Sequence, residues 1–289
     1  MLHTSFIQHI EKICSGIENH PVKLRAYEKI YGGDINDTYR LAMTDTDYFI
    51  KINTTDKRDM FEKEAKNLKI LSDSNSFIIP EVFHNGVFEN KSFLLLQYIE
   101  KLETEGNVKD FAENLVKLHQ NFQNYYGLKF DNYIGKLPQK NTPETDWVNF
   151  YIQNRLQFQI DLAGNNIPVN IKNDFNRLFQ KLPVIIPLEK PSLLHGDLWN
   201  GNYFYNLQGK AVLFDPAVYY GHREIDLAMM SLFGGFDAEI YHIYHQLFPM
   251  EPDWKNRLKI YQLYPLLVHV NLFGVSYLSG IEQILKYFI

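Results

Sequence analysis

The sequence predicts an α+β chain in two lobes: a small five-stranded antiparallel sheet with one helix, then a larger, mainly helical lobe. Three observations carry this. Residues 26–53 alternate apolar and polar side chains around two turn signals, Gly32-Gly33 and Asp45-Thr46-Asp47. After Glu100 the apolar spacing changes to three and four, as in Phe111, Leu115, Leu118 and Phe122. The 289 residues exceed one small core and suit one large or two modest domains.

Taken in order, residues 1–20 read as a short amphipathic helix, with neither the basic start nor the unbroken apolar run of a signal peptide. Strands are expected at about 26–31, 37–43 and 47–53, then a helix from about Lys57 to Ser72 with Thr55 or Asp56 as N-cap. "EVFHNGVFENKSFLLLQYI" supplies two more strands around a Glu89–Ser92 turn. The chain then crosses at about 97–102, which divides it into a lobe of 1–98 and a lobe of 103–289. "NVKDFAENLVKLHQNF" and "TDWVNFYIQNRLQFQIDLA" have helical spacing, and helices return from Glu224 to the end. Leu263 to Ile281 is apolar enough to resemble a membrane span, but Pro265, His269, Asn271 and two serines favour a buried helix or helix pair. A ligand is expected in the cleft between the lobes.

Composition narrows the function. The net charge of −5 provides no broad basic footprint, which argues against nucleic acid and against an anionic membrane surface as partners. The single cysteine, Cys14, cannot form an internal disulfide, and a reducing, cytoplasmic location is expected.

The chemistry concentrates in "LLHGDLWNGNYFYNLQGKAVLFDP", Leu193 to Pro216. As a hairpin with a four-residue loop, Leu207 to Lys210, it pairs Asn206 with Ala211, Tyr205 with Val212 and Tyr203 with Phe214. That register sets Asn202 opposite Asp215, an amide oxygen beside a carboxylate, both hard ligands suited to Mg²⁺. Asp197 precedes Asn202 by five residues, the spacing of a kinase catalytic loop in which Asp accepts a hydroxyl proton and Asn holds a metal. The plainer alternative is a hairpin with Asp197 capping a turn and Asp215 in an edge loop. His195 lacks partners at zinc-ligand spacing and reads as structural.

A kinase also needs a cation on the nucleotide phosphates. In "DYFIKIN", Tyr48, Ile50 and Ile52 share one strand face, and Phe49 and Lys51 share the other. On the following helix, Phe61, Glu64, Leu68 and Leu71 form one stripe, of which Glu64 is the only charged member. A carboxylate turned towards a core needs a partner, and Lys51 is the natural one. Gly32 and Gly33 would let backbone approach phosphates. By position, the backbone of Gln97, Tyr98 and Ile99 would meet the adenine edge.

At these residues the chain resembles the fructosamine (ketosamine) kinase family, related to aminoglycoside phosphotransferases and choline kinases and to the protein-kinase-like fold. The resemblance rests on "GGDINDTYRL", "YFIKIN", "MFEKEAKNLKIL", "FDNYIGKLPQ", "DWVNFYIQNRLQFQIDL", "LLHGDLWNGN" and "FDPAVYYGHREIDLAMMSLFGGF". It implies ATP-dependent, Mg²⁺-assisted phosphorylation of the sugar 3-hydroxyl of ribulosamine, erythrulosamine or fructosamine adducts, on free amines or protein lysines, leading to deglycation. It also implies that Asp197 is the proton acceptor and that Gln97 to Ile99 is the ATP hinge. His222, Arg223 and Asp226 either line the sugar pocket or form a strut beneath the catalytic loop, and Trp199 either packs near the sugar or fills the core. Another small-alcohol kinase of the aminoglycoside or choline type, and a silent nucleotide-binding module, remain as alternatives. The last fifty residues add helix without a usable motif.

Overall fold

A computed structural model describes residues 2–31, 35–104 and 106–289. The first lobe contains α1 (Thr4–Glu18), β1 (Ala26–Ile30), β2 (Asp37–Ala42), β3 (Asp47–Thr54), α2 (Arg58–Asp73), β4 (Val82–Phe88) and β5 (Lys91–Gln97). The strands form one antiparallel sheet in the order β1-β2-β3-β5-β4. The alternation of β3 sorts its side chains. Tyr48, Ile50 and Ile52 pack with Phe93 and Leu95 against Phe6, Ile10 and Cys14 of α1. Phe49 packs on the other face with Phe61 and Leu68 of α2 and Leu94 and Leu96 of β5. The sheet therefore carries two helices where one was expected: the N-terminal amphipathic helix buries its stripe on it. The α2 start also differs. A 3₁₀ turn, Thr55–Lys57, leads into it, and Lys57 in the cap position makes no side-chain cap hydrogen bond.

The second lobe holds α3 (Val108–His119), whose first turn is capped by Asn107 accepting from the Asp110 N–H at 3.0 Å. A short hairpin follows, β6 (Asn132–Ile134) and β7 (Leu137–Gln139). Then come α4 (Trp147–Phe150), a π-helical stretch Tyr151–Gln157, α5 (Phe158–Ala163) and α6 (Val169–Ile185). The chemistry-bearing segment supplies β8 (Ser192–Leu194), β9 (Tyr203–Tyr205), β10 (Ala211–Leu213) and β11 (Tyr219–Gly221). The chain ends in α7 (Glu224–Leu232), α8 (Ala238–Leu247), α9 (Trp254–Phe273) and α10 (Leu278–Phe288). Among the described residues, no helix is long and apolar enough to cross a membrane.

One large core, including Phe111, Phe150, Leu178, Leu194, Leu213 and Leu267, fills this lobe and takes in Leu71 of α2 and Phe77. Ile78 accepts from the Leu213 N–H at 3.0 Å, so the lobes meet at β10 as well as at the crossing.

The β9–β10 hairpin departs from the expected register by one residue. Tyr205 pairs with Ala211, Phe204 with Val212 and Tyr203 with Leu213. The loop is three residues long, because Asn206 N–H donates to Lys210 O at 2.9 Å and Gly209 takes a φ of +70°. The Asn206 side-chain oxygen accepts from the Gln208 and Lys210 N–H groups, at 3.1 and 3.0 Å, and fixes that turn. Asn202 and Asp215 are thus not cross-strand partners. Asn202 ends a 3₁₀ turn, Asn200–Asn202, and Asp215 lies beyond β10 with a left-handed φ of +54°.

Candidate active site

The site begins where β8 ends. Gly196 has a φ of +81°, and a Cβ there would stand 2.1 Å from the Ala217 carbonyl oxygen, so only glycine fits this turn. The turn is held from below by Asp226 on α7, fully buried, whose carboxylate accepts from the His195 N–H at 2.8 Å and the Gly196 N–H at 2.9 Å. His119 Nε2 also lies 3.3 Å from this carboxylate. His195 donates from Nε2 to Phe214 O at 3.0 Å and accepts at Nδ1 from the Asp197 N–H at 3.3 Å, which defines its tautomer. Burial lowers its pKa, and it stays neutral as a brace between Asp197 and the strand that leads to Asp215.

Asn202 gives its amide nitrogen to Asp197, donating to the backbone O at 2.8 Å and to Oδ2 at 3.0 Å. Its Oδ1 has no hydrogen-bond partner among the described residues and is the end free to bind a cation. Burial pushes the Asp197 carboxyl up to about 7; the Asn202 bond opposes this and the charges of Asp215 and Asp226 add to it. From the first lobe, Lys51 donates from Nζ to Glu64 Oε1 at 2.6 Å and also contacts Asp215 Oδ1. Burial of the Lys51 ammonium acts to lower its pKa, but Asp215 and Glu64 outweigh it and the net shift is upward. Burial raises the Glu64 carboxyl against the pull of Lys51.

Lys51, Glu64, Asp197, Trp199, Asn202 and Asp215 all line one cavity of about 740 Å³ between the lobes. Apolar and aromatic groups line it too: Tyr133 and Ile134 of β6, Met229 of α7, Phe233, and Val268, His269, Leu272 and Phe273 of α9. Four of the last fifty residues, unassigned from sequence, therefore line the cavity: Val268, His269, Leu272 and Phe273. The only hint was an apolar helix carrying His269 and Asn271.

Gly32 and Gly33 fall outside the described residues. Gln97 ends β5 and Tyr98 and Ile99 follow it, and none of the three is among the residues lining the cavity. The Gln97 N–H is taken by Glu81 O at 2.8 Å, and the Tyr98 ring lies under the Arg40 guanidinium at 4.6 Å. His222 and Arg223, left open between a sugar pocket and a strut, are not among the residues lining the cavity, and their contacts are those of a strut. His222 is buried and stacked on Tyr261 at 5.3 Å. Arg223 forms a two-point pair with Glu189, at 2.8 and 2.9 Å, and donates to the Phe248 and Pro249 carbonyls. Trp199 is on the cavity wall, its ring edge-on to Phe233 at 6.4 Å.

A lysine–glutamate pair on a five-stranded lobe, facing an Asp, an Asn and a second Asp across a cleft, defines a phosphotransferase of the two-lobed, protein-kinase-like fold. The fructosamine kinase family model matches residues 6–289. A probable ketoamine kinase of Enterococcus faecium is 43% identical over 264 residues, covering 90% of this chain and 94% of that one. A chloroplastic protein-ribulosamine 3-kinase of Oryza sativa subsp. japonica is 34% identical over 274 residues, covering 93% and 80%. The crystal structure of a putative fructosamine-3-kinase from Haemophilus somnus 129PT superposes with a TM-score of 0.87 at 30% identity, covering 97% and 96%. The choline kinase LicA of Streptococcus pneumoniae shares the fold alone, with a TM-score of 0.62 at 17% identity over 96% and 99%. The chain belongs to the fructosamine kinase family and is an ATP-dependent phosphotransferase.

Proposed function

We propose that the protein phosphorylates the 3-hydroxyl of ketosamines, namely ribulosamine, erythrulosamine or fructosamine adducts of free amines or protein lysines, in a cytoplasmic setting, and that the phosphoester then releases the amine. The observation that carries this reading is that Asp197, Asn202 and Asp215 share one cavity with Tyr133, Phe233, His269 and Phe273, which this reading gives to the acceptor. Residues 1–98 hold the nucleotide: Lys51, oriented by Glu64, meets the phosphates, and Tyr98 and Ile99 offer backbone to adenine. Residues 103–289 hold the acceptor.

The donor set fits Mg²⁺: a free amide oxygen on Asn202 and a carboxylate on Asp215 are hard oxygen ligands, and phosphate oxygens and water would complete the shell. When bound, the cation neutralises charge on the transferring phosphoryl group. Asp197 takes the hydroxyl proton as the acceptor oxygen bonds to the γ-phosphorus and the bond to ADP breaks. The Asn202 contact fixes Asp197 in place, so positioning, more than base strength, is its contribution.

The test is a panel. Purified protein with Mg-ATP is offered ribulosyl-lysine, fructosyl-lysine, choline and an aminoglycoside. Transfer confined to the ketosamines supports the reading. Transfer only to choline or the aminoglycoside, or nucleotide binding with no transfer to any acceptor, overturns it.

A further inference from the structure

Four backbone carbonyls around Asp215 each accept a hydrogen bond from a buried side chain. Phe214 O is taken by His195 at 3.0 Å, Pro216 O by Asn67 at 3.0 Å, Ala217 O by Gln139 at 2.9 Å and Val218 O by Asn132 at 2.8 Å. The last three donors are joined to one another. Asn132 Nδ2 also donates to Asn67 Oδ1 at 3.1 Å, and Asn132 Oδ1 accepts from Gln139 at 2.9 Å and from Asn141 at 2.8 Å. Asn132 thereby uses both its donors and both acceptor positions, the full capacity of a carboxamide. The network ends at Arg155, which donates to Asn141 Oδ1 at 2.8 Å, and at Tyr264, whose hydroxyl donates to Gln139 Oε1 at 2.8 Å. Asn67, Asn132, Gln139 and Asn141 are all almost completely buried.

A chain of amides in a core is costly unless each member is satisfied, and when satisfied it holds one geometry. What it holds here is specific. Asp215 sits in a left-handed conformation that a residue with a side chain rarely adopts, and such a conformation persists only where the surroundings over-determine it. The donors come from both sides of the cleft. Asn67 is one turn beyond Glu64 on α2, so the same helix meets the Asp215 segment twice, through Glu64–Lys51–Asp215 and through Asn67–Pro216. Asn132 and Gln139 bring the β6–β7 hairpin, the "FDNYIGKLPQ" segment, against the carbonyls that follow.

We propose that Asn67, Asn132 and Gln139 are positioning residues that fix the backbone after Asp215, aim its carboxylate at the cation of the nucleotide complex, and tie that aim to the docking of α2. This rests on the reading of Asp215 as a metal ligand. The network acts through Asp215, so its loss registers in the cation requirement and leaves affinity for metal-free nucleotide intact.

Isothermal titration of the full-length protein with ADP, with and without Mg²⁺, tests this without any acceptor. In wild type, Mg²⁺ tightens ADP binding; no Mg²⁺ effect in wild type would overturn the metal-ligand reading itself. Gln139→Ala and the near-isosteric Asn67→Leu, which loses the donor to Pro216 without adding charge, weaken the Mg²⁺-dependent part by about 10- to 100-fold, as removal of residues supporting a metal ligand does. Metal-free ADP affinity is unchanged in both. Leu182→Ala, a core truncation in α6, lowers the melting temperature and leaves the Mg²⁺ effect at the wild-type value. Asn67→Leu, which nearly preserves shape, serves if Gln139→Ala does not fold. A folded Asn67→Leu or Gln139→Ala protein with a wild-type Mg²⁺ effect, or one losing metal-free and metal-bound affinity equally, overturns the proposal.

Discussion

Asp226 accepts hydrogen bonds from the two consecutive backbone amides of His195 and Gly196, at 2.8 and 2.9 Å, so a fully buried carboxylate on α7 holds the turn that presents Asp197. Bonds to a charged acceptor are worth about 1.5–3 kcal/mol each, and two of them converge here. Asp226→Asn would turn one acceptor into a donor facing an N–H. The expected outcome is a fall in kcat of about 100-fold with ATP affinity retained, because a small misplacement of a reacting group costs about that much. Steady-state kinetics with equilibrium nucleotide binding check it.

Lys51 lies between two carboxylates, Glu64 and Asp215. Removing it leaves Glu64 without its cation. Lys51→Met is expected to raise the KM for ATP and to destabilise the protein by up to about 3 kcal/mol, the scale for breaking one side of a buried pair. Lys51→Met/Glu64→Gln should recover part of that stability and none of the ATP affinity. Urea unfolding and initial rates separate the two effects.

Burial holds the Asp197 carboxyl near pH 7, well above an ordinary aspartate. A raised carboxyl binds its proton more tightly in the folded state, so stability falls as pH rises through the window from about 4 to about 7. Asp197→Asn removes this cost. In protein free of metal and nucleotide, the variant should melt above wild type at pH 8, and the difference should vanish at about pH 4. Melting curves across that range check the sign.

Phe233 and His269 both line the cavity, their rings 4.9 Å apart. His269 Nδ1 donates to Pro265 O at 2.7 Å, so Nε2 is the edge left for a ligand. Phe233→Ala and His269→Leu are each expected to raise the KM for the ketosamine by about tenfold, roughly 1.4 kcal/mol, with the KM for ATP unchanged.

Much of this was legible in the sequence because burial leaves a period. The alternation of β3 separated Lys51 from Ile50 and Ile52, and one charged position in an otherwise apolar stripe picked out Glu64. The hairpin register was not legible, since a three- or four-residue loop fits the same letters and the choice lies in the Asn206 side chain bonding its own turn. That slip would have placed Asn202 beside Asp215 through strand pairing; a 3₁₀ turn and a left-handed residue bring them to the cavity instead. The part that α9 plays in lining the cavity stayed hidden because α9 is apolar around most of its circumference, so His269, Leu272 and Phe273 carry no facial signal. Asn67, Asn132 and Gln139 are ordinary letters on their own; only the tertiary structure shows that they converge on one stretch of backbone.

The most direct measurement is phosphate transfer from Mg-ATP to ribulosyl-lysine by Asp197→Ala, run beside ATP binding by the same preparation. The account predicts transfer lowered by at least about 100-fold, with ATP bound as tightly as by wild type. A variant that binds ATP normally and keeps most of its transfer rate would contradict it.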